Sequence, residues 1–504
     1  MKAIKYLVMG ALMLGLSAPA MAQNPNEDAI KAATRIINAK PADVDKQLKT
    51  LLKDTKTQKN GEVLVGIGRA FLNADDLTNA QKWVDAAFAL KKGTENSEAH
   101  ILQGDIYARQ DDGGRASTEY EQAILFDKKN PLPYEKYARV NRVVSPELSE
   151  QKLNDLRREL PSYPVDLIIA RIYQEASTMS KSHEQANANA RKAAQYYAKV
   201  DLNNDEVKAA DITNYSLVYF DDPFNDFNKS LEISRIGNKR FPTYLQLNRT
   251  TLYNLVSLQK YGEAVEYVDR LFNKSDSTNY LINDYIVAGN AYLGNKDHAN
   301  AIKMFEKAYA FEGASDANKL IALKSLSDCY MAGNDYPNAI AKYNEYLTAK
   351  KASGAKMSIT DYDGLGIIYR NYAAELKEQG KNNEAVENFK LSAKTYGDMV
   401  EAFKGTQQDY AYGIWWRGRI FTNLDPELTE GLAVEDYTQL VNIIEAKSGE
   451  LSKPDKLRLK DAYTYLGYYN IKKDNMELGK TYLQKLLTVD PTNAQAQQIL
   501  EQLK

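Results

Sequence analysis

The chain has 504 residues, and 65 Lys and Arg against 67 Asp and Glu give a formal net charge of −2, without the basic excess of a dedicated nucleic-acid binder. Gly (27) and Pro (14) are too sparse for a turn-rich β protein, while a 44% hydrophobic share is ample for a helical core. One Cys in the whole chain excludes an internal disulfide, so stability must come from packing.

In chain order, residues 1–22 read as a signal peptide. Lys2 and Lys5 form a positive start, and Ala20, Met21 and Ala22 form an A-x-A cleavage site. The apolar run at 6–16 is short of the roughly 20 residues that cross a bilayer. Cleavage would leave Gln23 first, with no Cys there to carry a lipid. The mature chain is expected in the periplasm or cell envelope, with no transmembrane segment or lipid anchor. Residues 23–60 predict N-terminal capping helices, one starting at Pro41 and running through Leu48, Leu51 and Leu52.

From 61 to 493 one spacing recurs. Gly289, Tyr292, Ala301, Phe305 and Ala308 are separated by 3, 9, 4 and 3 residues, and the same intervals return from Gly68, Gly104, Leu252, Ser327 and Gly467. Worn copies are anchored at Ala138, Ala170, Val218, Gly366 and Gly418, giving about eleven repeats. Gly366 to Ala385 takes 19 residues instead of 12, which predicts a hairpin about two turns longer; Gly418 to Ala433 takes 15, which predicts a turn enlarged at 424–426. The polar run 177–182 predicts an enlarged, mobile loop, and Pro161, Pro164 and Pro242 predict helix boundaries. Residues 494–504 predict a polar C-terminal capping helix. No composition shift marks a separate domain; bends are expected at 175–190 and 397–435.

These intervals resemble the tetratricopeptide repeat superfamily, whose unit carries a small residue on its first helix, an aromatic one turn later and an Ala where the second helix crosses. The resemblance implies an all-α, right-handed superhelical solenoid of stacked helix-turn-helix repeats. It also implies a non-catalytic protein-interaction scaffold of the bacterial cell envelope that holds a protein or peptide partner on its concave face. The alternative is a glycan-binding envelope protein related to sugar-capturing proteins built on such repeats, with the 35 tyrosines offering stacking faces.

Catalytic chemistry is hard to assemble from this chain. His100, His183 and His298 are the only histidines, none at a metal-ligand spacing; no metal site, cofactor or enzyme activity is expected. Residues 111–114, Asp-Asp-Gly-Gly, read as a turn between helices rather than a calcium loop, and Gly66-Ile67-Gly68-Arg69 lacks the ending of a phosphate loop. Cys329 reads as a small buried hydrophobe. Trp415 and Trp416 straddle the repeat's usual register, since Ile414 takes the Trp position, and packing is the expected role. Asp276-Ser277-Thr278 reads as ordinary loop polarity, although it resembles a short acceptor for O-glycosylation.

Counting each anchor as position eight, the resemblance places positions two, five, nine and twelve on the inner face. Position nine gives Arg69, Asp105, Arg139, Arg171, Tyr219, Tyr253, Asn290 and Asp328; position five adds Tyr215, Arg249 and Lys324, and Arg142 lies beside Arg139. The N-terminal half thus offers Arg with little acid nearby and the middle offers tyrosines, which suits an extended acidic peptide with aromatic contacts.

Overall fold

Small residues at helix crossings, and a fixed turn between helices, dictate the architecture. The computed structural model describes residues 24–406 and 409–503. The expected signal peptide lies outside the described residues.

The first compact unit, Met1–Phe241, contains α1 (Pro25–Ala39), α2 (Val44–Asp54), α3 (Gly61–Asn73), α4 (Leu77–Phe88), α5 (Ser97–Arg109), α6 (Gly113–Phe126), α7 (Pro131–Asn141), α8 (Pro146–Glu159), α9 (Val165–Met179), α10 (His183–Tyr197), α11 (Ala209–Phe220) and α12 (Phe227–Arg240). The second, Pro242–Lys504, contains α13 (Leu245–Ser257), α14 (Tyr261–Asn273), α15 (Ile282–Gly294), α16 (His298–Tyr309), α17 (Asp316–Ala332), α18 (Tyr336–Ala352), α19 (Ile359–Glu378), α20 (Asn382–Phe403), α21 (Ala411–Leu424), α22 (Val434–Glu445), α23 (Lys453–Lys472), α24 (Met476–Val489) and α25 (Ala494–Gln502). No strand occurs among the described residues. The chain is an all-α solenoid of helical repeats. Odd-numbered helices are the first of each hairpin, even-numbered helices the second, and each of the eleven anchors falls on a first helix.

The turn is encoded locally. Asp75, Asp111, Lys296 and Asn334 each stand seven residues after an anchor with φ of 63°, 59°, 62° and 60°, the left-handed conformation that reverses the chain. The next residue, Asp76, Asp112, Asp297 or Asp335, accepts a hydrogen bond from the backbone N–H three residues on, at 3.0, 3.0, 3.1 and 3.3 Å, and so starts the second helix. The crossing is equally local. A Cβ on Gly104 would sit 2.5 Å from the Tyr120 ring, one on Gly289 2.6 Å from Phe305, and one on Gly467 2.7 Å from Leu483, so each anchor receives the side chain sixteen residues later. Where the anchor is Ser327, its hydroxyl donates to the Ala339 carbonyl at 2.8 Å across the same crossing.

α1 and α2 form a hairpin of the same kind. Ala29, Ala33, Ile37, Leu48 and Leu52 share a core with Val63 and Ile67, and Ile30 lies over Gly66, where a Cβ would come within 2.6 Å. The stack therefore begins at Pro25. At the other end α25 buries Ala496 in one core with Leu483 and Leu486.

Three local readings change. Ser216, not Val218, is the fifth anchor: Ser216 and Ser230 each donate to the other's carbonyl at 2.8 Å, the crossing Ser327 makes with Ala339. The turn after α11, containing a cis Asp222–Pro223 bond, is two residues longer than the common one, so counting back from it misplaces the anchor by two. The first half of the run 177–182 is helix, ending at Met179, where Ser177 donates to the Ala186 carbonyl at 2.8 Å and Thr178 to the Glu175 carbonyl at 3.0 Å; only 180–182 connect the helices, and Ser182 caps α10. The longer hairpin at Gly366 takes its extra length on both helices, 20 residues in α19 and 22 in α20. A Cβ on Gly366 would lie 2.7 Å from Tyr396, thirty residues on, which is sixteen plus two seven-residue extensions.

The enlarged turn before α22 is built around Asp425. Its carboxylate accepts the backbone N–H groups of Thr429, Glu430 and Gly431 at 2.7, 2.9 and 2.7 Å. Burial opposes this charge, but the backbone donors outweigh it and hold the Asp425 carboxyl below the usual aspartate range.

Candidate partner-binding face

Successive first helices touch at α3 and α5, α7 and α9, α9 and α11, α13 and α15, α15 and α17, and α21 and α23, and acids near their N-termini tie one hairpin to the next. Asp211, Asp284 and Asp361 stand five residues before Ser216, Gly289 and Gly366 and are buried at 4%, 0% and 2% exposure. Each accepts a backbone N–H from three residues earlier, Lys208, Leu281 and Ser358, at 2.9, 2.8 and 2.7 Å, which caps its own helix. Each also takes a cation from the preceding hairpin. Arg171 reaches Asp211 through two hydrogen bonds of 2.7 and 2.8 Å, Arg249 reaches Asp284 at the same two distances, and Lys350 reaches Asp361 at 2.7 Å. Tyr253 donates to Asp284 at 2.9 Å and Tyr346 to Asp361 at 2.6 Å. Asp455 repeats the pattern on α23 with Ser452 and Lys447 at 2.8 and 2.7 Å.

This geometry corrects the expectation of Arg with little acid nearby. Arg69 lies 3.3 Å from both Asp105 and Glu98, and Asp105 also receives Tyr120 at 2.9 Å and Lys136 at 2.7 Å. Arg142 pairs with Glu175 at 2.7 Å. Arg171 and Arg249 are structural ties of the kind just described. Arg139 alone of the predicted arginines is exposed and makes no ion pair among the described residues. The acids went unseen because they are 29 to 40 residues away in sequence.

Tyr215 is corrected as well. The two-residue register shift places Thr213 and Leu217 at positions five and nine of its repeat, and Tyr215, 6% exposed, packs on Tyr197 with ring centroids 5.0 Å apart. Tyr219 packs on Phe224 at 4.8 Å. Tyr253 serves Asp284. Lys324 and Asp328 pair with each other at 3.6 Å, and burial pushes the Asp328 carboxyl up against the opposing pull of Lys324. Asn290 is half-buried on α15.

The same positions continued along the second unit gather an aromatic and charged cluster that the sequence reading stopped short of. They give Asp363 and Arg370 on α19, Tyr412, Trp415 and Arg419 on α21, and Asp461, Thr464 and Tyr468 on α23. Trp415 is buried at 8% exposure and donates its indole N–H to Asp461 at 2.9 Å; Trp416 lies against it, centroids 4.9 Å apart. Arg370 stacks 3.9 Å over the Trp416 ring, and Arg419 stands 4.9 Å from each indole. Beside Arg419 opens a cavity of about 510 Å³, lined among others by Lys460, Asp461, Tyr468 and Gln495. In the first unit a groove of about 810 Å³ between α1 and α3 is floored by Ile30, Val65 and Gly66 and edged by Asn38, Asn73, Glu62 and Arg69.

His100 serves packing, while His183 and His298 are the first residues of α10 and α16. His100 sits between Phe88 and Phe126 and bonds Glu119 at 2.7 Å; burial disfavours its charged form, but Glu119 prevails and raises its pKa. Cys329 is buried, and burial pushes its thiol up to about 12. No cluster of three or more His, Cys, Asp or Glu residues placed to hold a metal occurs among the described residues. No described helix is long and apolar enough to cross a membrane.

The sequence profile described as tetratricopeptide repeat matches residues 285–312, which span α15 and α16. Residues 285–312 therefore carry a tetratricopeptide repeat. No curated protein matches it. Among solved structures it is similar to the C-terminal part of a TPR repeat-containing protein from Cytophaga hutchinsonii (16% identity, 56% of this chain and 97% of that one, TM-score 0.44). It is also similar to a tetratricopeptide repeat protein from Parabacteroides merdae (19% identity, 52% and 97%, TM-score 0.33). A third likeness is to the APC/C hetero-tetramer Cut9-Hcn1 (14% identity, 95% and 90%, TM-score 0.31). Tetratricopeptide-repeat proteins are generally non-enzymatic, and their fold generally serves as a protein-interaction scaffold.

Proposed function

We propose that this chain is an exported, non-catalytic scaffold of the bacterial cell envelope that receives segments of a partner protein on its first-helix face. The observation that carries the reading is the row of first helices, which presents grooves and polar or aromatic side chains. The signal-like residues 1–22 motivate the envelope assignment.

The test places a photo-crosslinking amino acid at exposed Gln246 and Lys324 on first helices and at exposed Lys390 on the second helix α20, in the producing cell. Crosslinked partner protein from Gln246 or Lys324, absent from Lys390, is the expected result. Crosslinks from Lys390 alone would overturn the face assignment, and recovery of the chain in the cytoplasm with Met1 intact would overturn the envelope assignment.

A further inference from the structure

The arginines on the first helices of the second unit fall into two groups. Arg249, Arg417 and Arg458 each hold a carboxylate, Asp284, Asp436 and Asp409, with contacts of 2.7, 2.9 and 2.8 Å. Arg370 and Arg419 do not. Among the described residues Arg370 makes neither ion pair nor hydrogen bond, and one of its terminal nitrogens is buried without an acceptor. Its acidic neighbour Asp363 spends one oxygen on the hydroxyls of Tyr396 and Tyr412, at 2.8 and 3.2 Å. Arg419 comes no closer than 3.8 Å to Asp461, on the oxygen already bonded to Trp415.

Both guanidinium groups are nevertheless held in place, because their central carbons lie over the indole faces, Arg370 at 3.9 Å from Trp416 and Arg419 at 4.9 Å from Trp415 and Trp416. A guanidinium held over an aromatic face by cation–π attraction still has N–H groups to offer a carboxylate, which it can bind through two parallel hydrogen bonds. An unsatisfied buried donor also gains more from such an oxygen than a solvated one does.

We propose that Arg370 and Arg419, held by Trp416 and Trp415, are two carboxylate-receiving points for an extended acidic segment of the partner protein. The inference rests on the scaffold reading and names its ligand. The two arginines stand on first helices of successive hairpins, and both guanidinium carbons lie over the Trp416 ring, 3.9 and 4.9 Å from its centroid, so they are no more than about 9 Å apart. An extended chain advances about 3.3 Å per residue, so carboxylates two or three residues apart match the pair. The cavity beside Arg419 takes the side chain between or beyond them, with Tyr468 and Gln495 on its wall.

The probe is a fluorescein-labelled decapeptide of alternating Glu and Tyr, capped at its C-terminus so that only side-chain carboxylates are present, titrated into the mature chain by fluorescence anisotropy. An alternating Gln and Tyr peptide of equal length is the comparison. We expect the acidic peptide to bind about tenfold tighter or better, and Arg370→Gln and Arg419→Gln each to weaken it about fivefold, while Lys390→Gln on α20 changes nothing. Far-ultraviolet circular dichroism controls for folding, and Arg419, whose side chain is 44% exposed, keeps the test valid if Arg370→Gln disturbs packing. Equal affinity for both peptides, no binding at about 1 mM, or indifference to both substitutions would overturn the inference. So would binding only when the peptide's C-terminal carboxylate is left free. Crosslinks from Gln246 or Lys324 alongside such a failure would leave the scaffold reading standing.

Discussion

At the scale of single residues, the acids that cap the first helices do the most. Asp284 is fully buried and neutralised by Arg249, whose side chain is 15% exposed, so removing the acid strands a largely desolvated guanidinium. Asp284→Ala should cost about 3–5 kcal/mol, read as a lower urea midpoint at unchanged slope. Arg171→Glu should likewise destabilise, by opposing Asp211, before it reports on any partner, whereas Arg139→Glu should leave melting unchanged and isolate a binding effect. The acids also set a pH dependence. Burial works against the Asp361 charge, but hydrogen bonds from Lys350, Tyr346 and Ser358 outweigh it and hold its carboxyl below the ordinary 3.8; Asp455 is held low in the same way by Lys447 and Ser452. A carboxyl whose pKa is lower folded than unfolded stabilises above its unfolded value and loses that contribution as pH falls through the folded one. The stability gap between the native chain and Asp361→Asn should therefore be wide at about pH 7 and close below about pH 3, measured by urea unfolding at each pH. A gap independent of pH would show that Asp361 acts through shape alone.

At the scale of helices and hairpins, the crossing predicts opposite signs for two chemically identical changes. Gly104→Ala drives a methyl to within 2.5 Å of Tyr120 in the buried crossing of α5 and α6, and should cost about 1–3 kcal/mol. Gly113→Ala at the start of α6 meets no atom within 4 Å and should stabilise by about 0.4–1 kcal/mol, because alanine has less backbone freedom to lose. Thermal melting of the two variants separates the predictions. Such crossings were legible in the sequence because they depend on intervals within some thirty residues, and so were the turns, where a left-handed residue and a capping Asp follow the anchor at fixed offsets. Ser216 was missed for the same reason: two extra residues in the turn after α11 broke the offset on which the reading relied, and nothing local to Val218 betrays it. In the run 177–182 composition misleads over the first three residues only, since the Ser177 hydroxyl, of a kind that favours loops in water, here bonds to a helical carbonyl.

At the scale of the whole chain, the binding face was only half legible. Its positions followed from the repeat, but whether a cation there is spent or available depends on acids one hairpin away, which spacing does not reveal. The signal that was present, an Asp five residues before the anchor in three repeats, is a capping pattern whose second role as a tie appears only when hairpins stack. Because each hairpin packs on its neighbours in sequence, stability accumulates locally and unfolding need not be all-or-none. The chain carries its own reporters of this: Trp83 lies in the unit Met1–Phe241, and Trp415 and Trp416 lie in Pro242–Lys504. A variant combining Trp415→Phe with Trp416→Phe leaves fluorescence from the first unit only, and Trp83→Phe leaves the second. We expect the two urea transitions to differ in midpoint, and Asp284→Ala to lower the midpoint seen by Trp415 and Trp416 while the one seen by Trp83 stays within error. Coincident transitions that move together under Asp284→Ala would instead make the chain one cooperative body, in which a tie cut at one hairpin is felt throughout.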